Sequence, residues 1–233
     1  MMKLRLTGWI GLALLCAVCS QASAAPLLTD NLEAYWAFDN NLNDSHTNNY
    51  TLTDNGTIGY NGATSILGQA ASFSGDDQLA ANAFVTDLGT GASSTVQWWV
   101  KTSDAGGTLM AKGLTGSGWG GGESRYYFGD GLNQDAGRRF SAVRNGGSWV
   151  QTSADVIDSS GDGTWRHIVY VNDGGTDTVY IDGTAVSKAQ TAFNNSDSVT
   201  SKLYFGWTSG NDGTNTYNGL MDEVALFKDA STL

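Results

Sequence analysis

Two aspartates near opposite ends of the chain, Asp39 and Asp222, are the residues whose type and position are best suited to chemistry. Asp222 lies in the segment NGLMDEVALF (218–227), where a regular extended chain would place it on the same face as Leu220 and Val224. A carboxylate on an apolar face must be paired, hydrogen-bonded or bound to a cation. We therefore interpret Asp222 as a candidate cation ligand, and backbone hydrogen bonds to its carboxylate are the alternative.

The segment that ends at Asp39, LEAYWAFD (32–39), has the pattern of an extended strand of similar length. In antiparallel sandwiches the two ends of the chain commonly pair. We predict that this segment lies beside 218–227 and that the two strands close the domain. Asp39 and Asp222 are then expected to meet over a metal ion.

The N-terminal residues have the pattern of a secretion signal. Lys3 and Arg5 precede an apolar run at 10–19, and Ala22-Ser23-Ala24 fits a cleavage site for a signal peptide of residues 1–24. The run is too short to span a membrane, and neither Cys16 nor Cys19 follows the small residue that a lipoprotein signal requires. We predict export of one domain, residues 25–233, without a membrane span; an N-terminal anchor helix is the alternative.

Composition narrows the classes of partner. Removal of the leader takes away both cysteines and two positive charges, so that the net charge of −11 becomes −13 and no disulfide is available. An acidic surface disfavours nucleic acid and anionic membranes as partners, although it also serves simple solubility. The abundance of aspartate and glycine favours turns and oxygen-ligand cation sites over helices.

The exported part reads as all-β. Period two in STVQWWVK (94–101) places Trp98 and Trp99 on opposite sides of a strand. Asn172-Asp173-Gly174-Gly175 and Asp182-Gly183 are hairpin signals. Short strands recur about every 8 to 12 residues, which is typical of a two-sheet antiparallel sandwich or jelly roll.

Several segments carry a family resemblance. They are YWAFD (35–39) with DS (44–45), GQA (68–70), SFSGDD (72–77), WVK (99–101), DGTWRH (162–167), VYIDG (179–183), LYFG (203–206) and GLMDEV (219–224). In these segments and their order, the chain resembles the LamG-like (concanavalin A-like lectin/glucanase) jelly-roll domains of secreted bacterial proteins. The resemblance covers nearly everything after residue 30 and is more specific for fold than for function.

The resemblance implies an antiparallel jelly-roll sandwich, often with one structural calcium ion and often serving in carbohydrate binding or adhesion. It implies Asp39 and Asp222 as calcium ligands, and Asp44 is a candidate third side chain for an ion that takes six to eight oxygens. Asp76 and Asp77 form a second, weaker candidate pair. Relatives usually continue beyond the point at which this chain stops, Leu233, which leaves open whether the domain is complete at its C-terminus.

Catalytic motifs are missing from the sequence. Sandwich glucanases need paired carboxylates in an ExDxxE arrangement, whereas the glutamates Glu33, Glu123 and Glu223 are far apart. His46 and His167 have no nucleophile elbow or cysteine to act with, and His167 is expected to pack against the neighbouring strand or bond to the backbone. We predict a protein that is not an enzyme; a glycan-active hydrolase with unrecognised aspartates is the alternative.

Exposed aromatic rings suit sugar binding, because they stack on the apolar faces of sugar rings. Trp119, in the glycine-rich stretch 113–122, is the first candidate, with its ring covering a sheet edge as the alternative. The further candidates are Trp207, Tyr126, Trp149 and Tyr217, and the aromatics assigned to the core are Trp36, Trp165 and Phe205. We predict a secreted, lectin-like module that binds a glycan or polysaccharide; an adhesive domain that binds a cell-surface or matrix protein is the alternative.

Overall fold

The computed structural model describes an all-strand protein. The residues described are 31–75, 77–84, 93–102, 107–114, 125–130, 142–145, 148–151, 163–173, 176–185, 190–191, 202–206 and 217–228. Sixteen strands lie in this part of the chain and no helix does, which confirms the all-β prediction. It follows that no helix in the described part is long and apolar enough to cross a membrane.

Two antiparallel sheets contain these strands. The strands are β1 (Leu32–Trp36), β2 (Thr53–Asp54), β3 (Gly59–Asn61), β4 (Ala70–Phe73), β5 (Leu79–Ala81), β6 (Ser94–Thr102), β7 (Gly107–Leu114), β8 (Arg125–Asp130), β9 (Ala142–Asn145), β10 (Ser148–Gln151), β11 (Arg166–Asp173), β12 (Thr176–Ile181), β13 (Thr184–Ala185), β14 (Gln190–Thr191), β15 (Lys202–Phe205) and β16 (Gly219–Phe227). The first sheet has the order β13-β12-β11-β6-β16-β4-β3, with β1 also on β16 and β14 also on β12. The second has the order β10-β9-β8-β7-β15-β5-β2. The arrangement is that of the predicted jelly-roll sandwich.

The first and last strands pair, as the sequence predicts. β1 runs antiparallel to β16, from Leu32 opposite Phe227 to Trp36 opposite Val224. β1 ends three residues before Asp39, because Phe38 has a positive φ of 57° and leaves the extended conformation. Asp39 therefore lies in the turn that follows the strand rather than in the strand itself.

An irregularity in β16 corrects the predicted orientation of Asp222. The register against β6 shifts between Asp222 and Ala225, and Glu223 has a φ of 52°. This β-bulge breaks the period of two, so that Met221 and Val224 both face the core. Asp222 instead lies on the face of the first sheet that points away from the core, which we call the distal face.

The core lies between the two sheets. Trp36 of β1 meets Phe205 of β15 edge to face at 5.3 Å between ring centroids, and both rings are buried as predicted. Trp98 is also buried, whereas Trp99 is only half-buried, which confirms that these two indoles face opposite ways. Trp165 was expected in the core, but it is half-buried before β11 and donates its indole N–H to a loop carbonyl.

Candidate functional site: an acidic and aromatic row on the distal face

Three neighbouring strands bring a carboxylate, an indole and an imidazole into one line. Asp222 of β16 is the direct partner of Trp99 on β6, and Trp99 is the direct partner of His167 on β11. We call these three residues the distal row. Beyond the row, Asp182 follows β12, and its Oδ1 accepts a hydrogen bond of 2.9 Å from the His167 backbone N–H.

The aromatic part of the row is a stacked pair. The ring centroids of Trp99 and His167 are 4.9 Å apart with 29° between the ring planes. This confirms the expectation that His167 packs against the neighbouring strand. Burial lowers the pKa of His167 and the Asp182 carboxylate opposes that shift, so the imidazole is mainly neutral at pH 7.

Asp222 is a buried carboxylate that is only half satisfied. The residue is 0% exposed, and its Oδ2 accepts hydrogen bonds from the backbone N–H groups of Ile66 at 2.9 Å and Leu67 at 3.3 Å. Its Oδ1 is buried and accepts no hydrogen bond from the described residues. Burial raises the pKa of Asp222 and the Asp39 carboxylate raises it further, while backbone N–H groups oppose the rise.

Glu223 adds a second, half-buried acid that sequence reasoning missed. Its Oε2 accepts a hydrogen bond from the Tyr35 hydroxyl, and its Oε1 is buried without a hydrogen bond from the described residues. Burial raises the pKa of Glu223, and Asp222 and Asp39 add to the rise. The signal in the sequence was the spacing of Met221 and Val224, which departs from a period of two and indicates a bulge at this position.

A loop of residues 62–69, which we call the strap, lies over Asp222 at one end of the distal row. At one end the Gln69 N–H donates to Asp39 Oδ1 at 2.7 Å, and in the middle Ile66 and Leu67 are held by Asp222. Towards its other end the Thr64 carbonyl accepts the Trp165 indole N–H at 2.5 Å. Asp222 belongs to β16 and Trp165 precedes β11, so the strap has hydrogen-bond partners on both sides of β6, the strand that carries Trp99.

The conformation of the strap requires glycine at one position. Gly68 has a φ of 56°, and a Cβ on it would overlap Asp39 Oδ1. The Ser65 hydroxyl donates to the Gly68 carbonyl at 2.8 Å and stiffens the turn. The strap also carries the most exposed large apolar side chain among the described residues, Leu67, which is 63% exposed.

Two of the three predicted metal ligands come together and the third does not. Asp39 and Asp222 both hold the strap, and they lie close enough for Asp39 to raise the pKa of Asp222. Asp44 is instead committed to its own loop: Oδ1 accepts the N–H groups of Tyr35 and His46, and Oδ2 accepts that of Tyr50. Within the described ranges no three acidic, histidine or cysteine side chains form a group that could hold a metal ion.

In the second candidate pair of acids, Asp76 and Asp77, the described residue Asp77 also organises a turn. Asp77 is buried, its Oδ1 accepts the Thr57 N–H at 2.8 Å, and its Oδ2 accepts the Ser74 N–H at 2.8 Å. Both of its oxygens therefore serve the backbone. Asp76 lies outside the described residues.

The predicted sugar-binding aromatics do not form one described cluster. Tyr217 is a correction: it is 2% exposed, and its hydroxyl donates to the Leu220 carbonyl at 2.6 Å, because the ring packs edge to face on Phe73 within the core. Tyr126 and Trp149 lie on β8 and β10 of the second sheet, and their side chains are outside the described part. Trp119 and Trp207 lie outside the described residues, so their role remains a prediction.

Solved structures share this fold over most of the chain. Domain 4 of AbnA, a GH43 extracellular arabinanase from Geobacillus stearothermophilus, in complex with arabinotriose, is 22% identical, with a TM-score of 0.64 and coverage of 87% of this chain and 94% of that domain. The binding domain of botulinum neurotoxin DC in complex with SialylT is 14% identical, with a TM-score of 0.55 and coverage of 87% and 48%. The same domain in complex with rat synaptotagmin II is 13% identical, with a TM-score of 0.53 and coverage of 87% and 49%.

This chain thus spans about half the length of the toxin binding domains and nearly all of the arabinanase domain. No curated protein sequence matches it. A sequence profile of the concanavalin A-like lectin/glucanases superfamily matches residues 73–233, from the end of β4 to the C-terminus. Together with the two antiparallel sheets and the paired terminal strands, this match shows that the chain belongs to the concanavalin A-like lectin/glucanase superfamily.

Proposed function

We propose that this protein is an exported, non-catalytic glycan-binding module with a structural calcium ion held by Asp39 and Asp222. The observation that carries the proposal is the half-buried Trp99–His167 stack on the distal face, away from the core. Aromatic rings stack on the apolar faces of sugar rings, and neighbouring carboxylates and amides bond the hydroxyl groups. The distal row supplies the rings, and Asp182 beside the row supplies an exposed carboxylate.

The similar structures support the ligand class. The arabinanase domain is in complex with arabinotriose, and the toxin domain is in complex with SialylT. The arabinanase is described as extracellular, which agrees with the export predicted from residues 1–24. Because the present chain covers 94% of the arabinanase domain, a glycan-binding module is the function that we extend to it.

The buried acids support binding without catalysis. Retaining glycoside hydrolysis needs two carboxyl groups about 5 Å apart that reach the scissile bond. Asp222 is 0% exposed beneath the strap, and both carboxylate oxygens of Glu223 are turned to Tyr35 or buried. Asp222 is not accessible to a glycosidic bond and the Glu223 carboxylate is engaged by Tyr35, so we expect no release of reducing sugar from polysaccharides.

The residues present fit a calcium ion through two side chains. Asp222 Oδ1 is a buried oxygen without a donor, and Asp39 lies near enough to disfavour charge on Asp222. A cation would compensate both carboxylates, and calcium accepts the backbone carbonyl and water oxygens that must complete its shell. When bound, calcium supplies charge compensation and no chemistry on the sugar. Asp44 does not take part, because its oxygens already accept three backbone N–H groups.

Glycan binding is tested by calorimetry with arabino-oligosaccharides and with sialylated oligosaccharides, after a screen on a glycan array. We expect Trp99→Ala to weaken binding by about tenfold or more, since one lost stacking contact is worth about 1.4 kcal/mol. The matched control is Tyr204→Ala, which removes another half-buried aromatic, on β15 of the second sheet, and should leave the affinity unchanged.

The outcomes separate the candidate functions. Loss of affinity in Trp119→Ala but not in Trp99→Ala would move the glycan site to the glycine-rich stretch 113–122. Failure to bind any glycan would overturn the proposal and favour the second candidate, an adhesive domain. That candidate is supported by the toxin domain in complex with rat synaptotagmin II and by the exposed Leu67 on the strap.

A further inference from the structure

We propose that Arg125, Arg144 and Trp149 on the second sheet form a binding site for an acidic sugar, with a carboxylate or sulfate as the recognised group. We call these three residues the arginine row. The site goes beyond the proposed function, because it lies on the other sheet from Trp99 and recognises the charge of a ligand as well as its apolar face. Trp149 is a sugar-binding candidate from the sequence, and the structure adds the two arginines beside it.

Strand register places the three residues next to one another. Arg125 of β8 is the direct partner of Arg144 on β9, and Arg144 is the direct partner of Trp149 on β10. Residues directly opposite each other on antiparallel strands share a face, with Cβ atoms about 5 Å apart. The row crosses three strands over about 10 Å, which is twice the spacing of neighbouring strands. Such a length suits a short stretch of a sugar chain.

The arginine row lies on the face of the second sheet that points away from the core. Phe205 and Met110 are direct partners and both are 1% exposed, so their row faces the core. Because side chains alternate along a strand, the adjacent row faces outward, and it begins with half-buried Tyr204. Register continues this outward row through Ala111, Tyr127, Ala142 and Gln151. The arginine row is two residues further along β8, β9 and β10, and so belongs to the same face.

Two like charges in direct register create a demand for an anion. Like charges directly opposite each other destabilise a sheet. The chain has 12 Lys and Arg residues against 23 Asp and Glu, yet in the described register neither Arg125 nor Arg144 has an acid as its direct cross-strand partner. A bound anion offsets the repulsion, and the planar guanidinium group donates two parallel hydrogen bonds to an oxyanion.

The indole in the row selects a sugar over other anions. Tryptophan rings stack on the apolar face of a sugar ring, whereas an inorganic anion gains nothing from such a contact. A nucleic acid extends beyond this short row and is repelled by the net charge of −11 on the chain. The ligand class that fits Trp149 and both arginines is therefore an oligosaccharide that carries a carboxylate or sulfate group.

Calorimetry of the exported protein with a galacturonic acid trisaccharide tests the site, and the neutral galactose trisaccharide is the matched ligand. We expect Arg125→Gln and Arg144→Gln each to weaken binding of the acidic trisaccharide by about tenfold or more, because each removes a hydrogen bond between charged groups. Added salt should also weaken this binding. The control variant is Lys202→Gln, which removes the positive charge of an exposed residue on β15 of the same sheet and should leave the affinity unchanged.

Thermal unfolding without ligand separates a binding role of the arginines from a structural one. Removal of one charge from a like-charged pair relieves repulsion, so the Tm of Arg144→Gln should be no lower than that of the wild type. A clearly lower Tm for both arginine variants would show that acids of this chain already pair with the two arginines, and would overturn the site.

Each binding result counts for or against the arginine row. Binding of a sulfated trisaccharide alone, lost in both arginine variants, supports the row and identifies the anion as sulfate. The proposal is overturned if neither acidic ligand binds, if the neutral trisaccharide binds equally well, if neither arginine variant weakens binding, or if a short single-stranded DNA binds more tightly. Trp99→Ala should weaken binding of arabino-oligosaccharides without affecting the acidic trisaccharide, so the proposed function and the arginine row are tested separately.

Discussion

Acidic residues in this protein take different roles according to what binds their two oxygens. Asp44 and Asp77 use both oxygens to accept backbone N–H groups and so organise loops. Asp222 uses one oxygen in this way and buries the other without a donor. Since a buried acceptor without a donor costs free energy, Asp222 and Glu223 are the acids in the described part of the chain that have an unmet demand for a cation or a proton.

His167 gives a prediction for the pH dependence of stability. Burial lowers its pKa in the folded state below the usual 6.5, so the unfolded chain binds the proton more readily. The wild type should therefore lose stability as the pH falls through 6.5 and below, relative to His167→Gln, which cannot titrate there. The measurement is the free energy of unfolding in urea for both proteins between about pH 8 and about pH 5. A constant difference across this range would contradict the prediction.

Single residues could be predicted where burial alone decides their role. Trp36 and Phe205 follow from aromatic residues on alternating strands, and both are in the core. Tyr217 and Trp165 were assigned wrongly, because their environments depend on partners far away in the chain. Tyr217 bonds to the Lys101 carbonyl as well as to that of Leu220, and Trp165 bonds to the Thr64 carbonyl. Composition and local pattern contain no information on such contacts.

At the scale of elements, the edge where β1 meets β16 is held by a partly buried ion pair. Glu33 is 2% exposed, its Oε2 lies 2.5 Å from Lys228 Nζ, and its Oε1 accepts the Tyr50 hydroxyl at 2.9 Å. Lys228 directly follows β16, and its N–H donates to the Asn31 carbonyl just before β1. The interaction therefore ties the two chain ends of the sheet together.

Removing this lysine should cost more than removing an exposed partner elsewhere. Lys228→Met leaves the Glu33 carboxylate buried without the Lys228 ammonium group, so we expect a loss of about 1–3 kcal/mol in the free energy of unfolding. The control is Arg166→Met, which removes the solvent-exposed Arg166–Asp182 pair and should cost less than about 1 kcal/mol. Urea unfolding measures the free energy of unfolding of both variants. Equal losses would show that the burial of Glu33 does not strengthen its ion pair with Lys228.

Strand positions and the pairing of the terminal strands could be predicted from hydrophobic periodicity and turn residues. The hairpin at Asp182-Gly183 is one example, since both residues have the positive φ that the sequence predicts. The set of residues that share a face with Asp222 could not be predicted from strict alternation, because the bulge at Glu223 interrupts the period of two within β16. The strap was also missed, since GATSILGQ has no alternation and its anchor Asp222 lies 156 residues away from Ile66.

At the scale of the whole molecule, removal of residues 1–24 as predicted would take away both cysteines, so that the remaining chain would have to be stabilised without disulfides. The two sheets share a core of large side chains, with Trp36, Phe205 and Trp98 among those fully buried. The first sheet has a gap where the partner of β16 changes from β4 to β1. Asp222 and Glu223 lie at that gap, so a cation bound there would join the two halves of the sheet edge.

Calcium is therefore expected to stabilise the entire domain. If it binds only the folded state, a concentration of about a hundred times its dissociation constant adds about 2.7 kcal/mol. For a domain of this size that corresponds to a rise in Tm of about 5–10 °C over the value in chelator. Differential scanning calorimetry measures the shift, magnesium serves as the control ion that the larger site should not favour, and Asp222→Asn should abolish the response. An identical Tm with calcium and with chelator, together with no calcium by elemental analysis, would contradict the expectation, because a cation that joins β4 and β1 to β16 cannot leave the unfolding of the sheet unchanged.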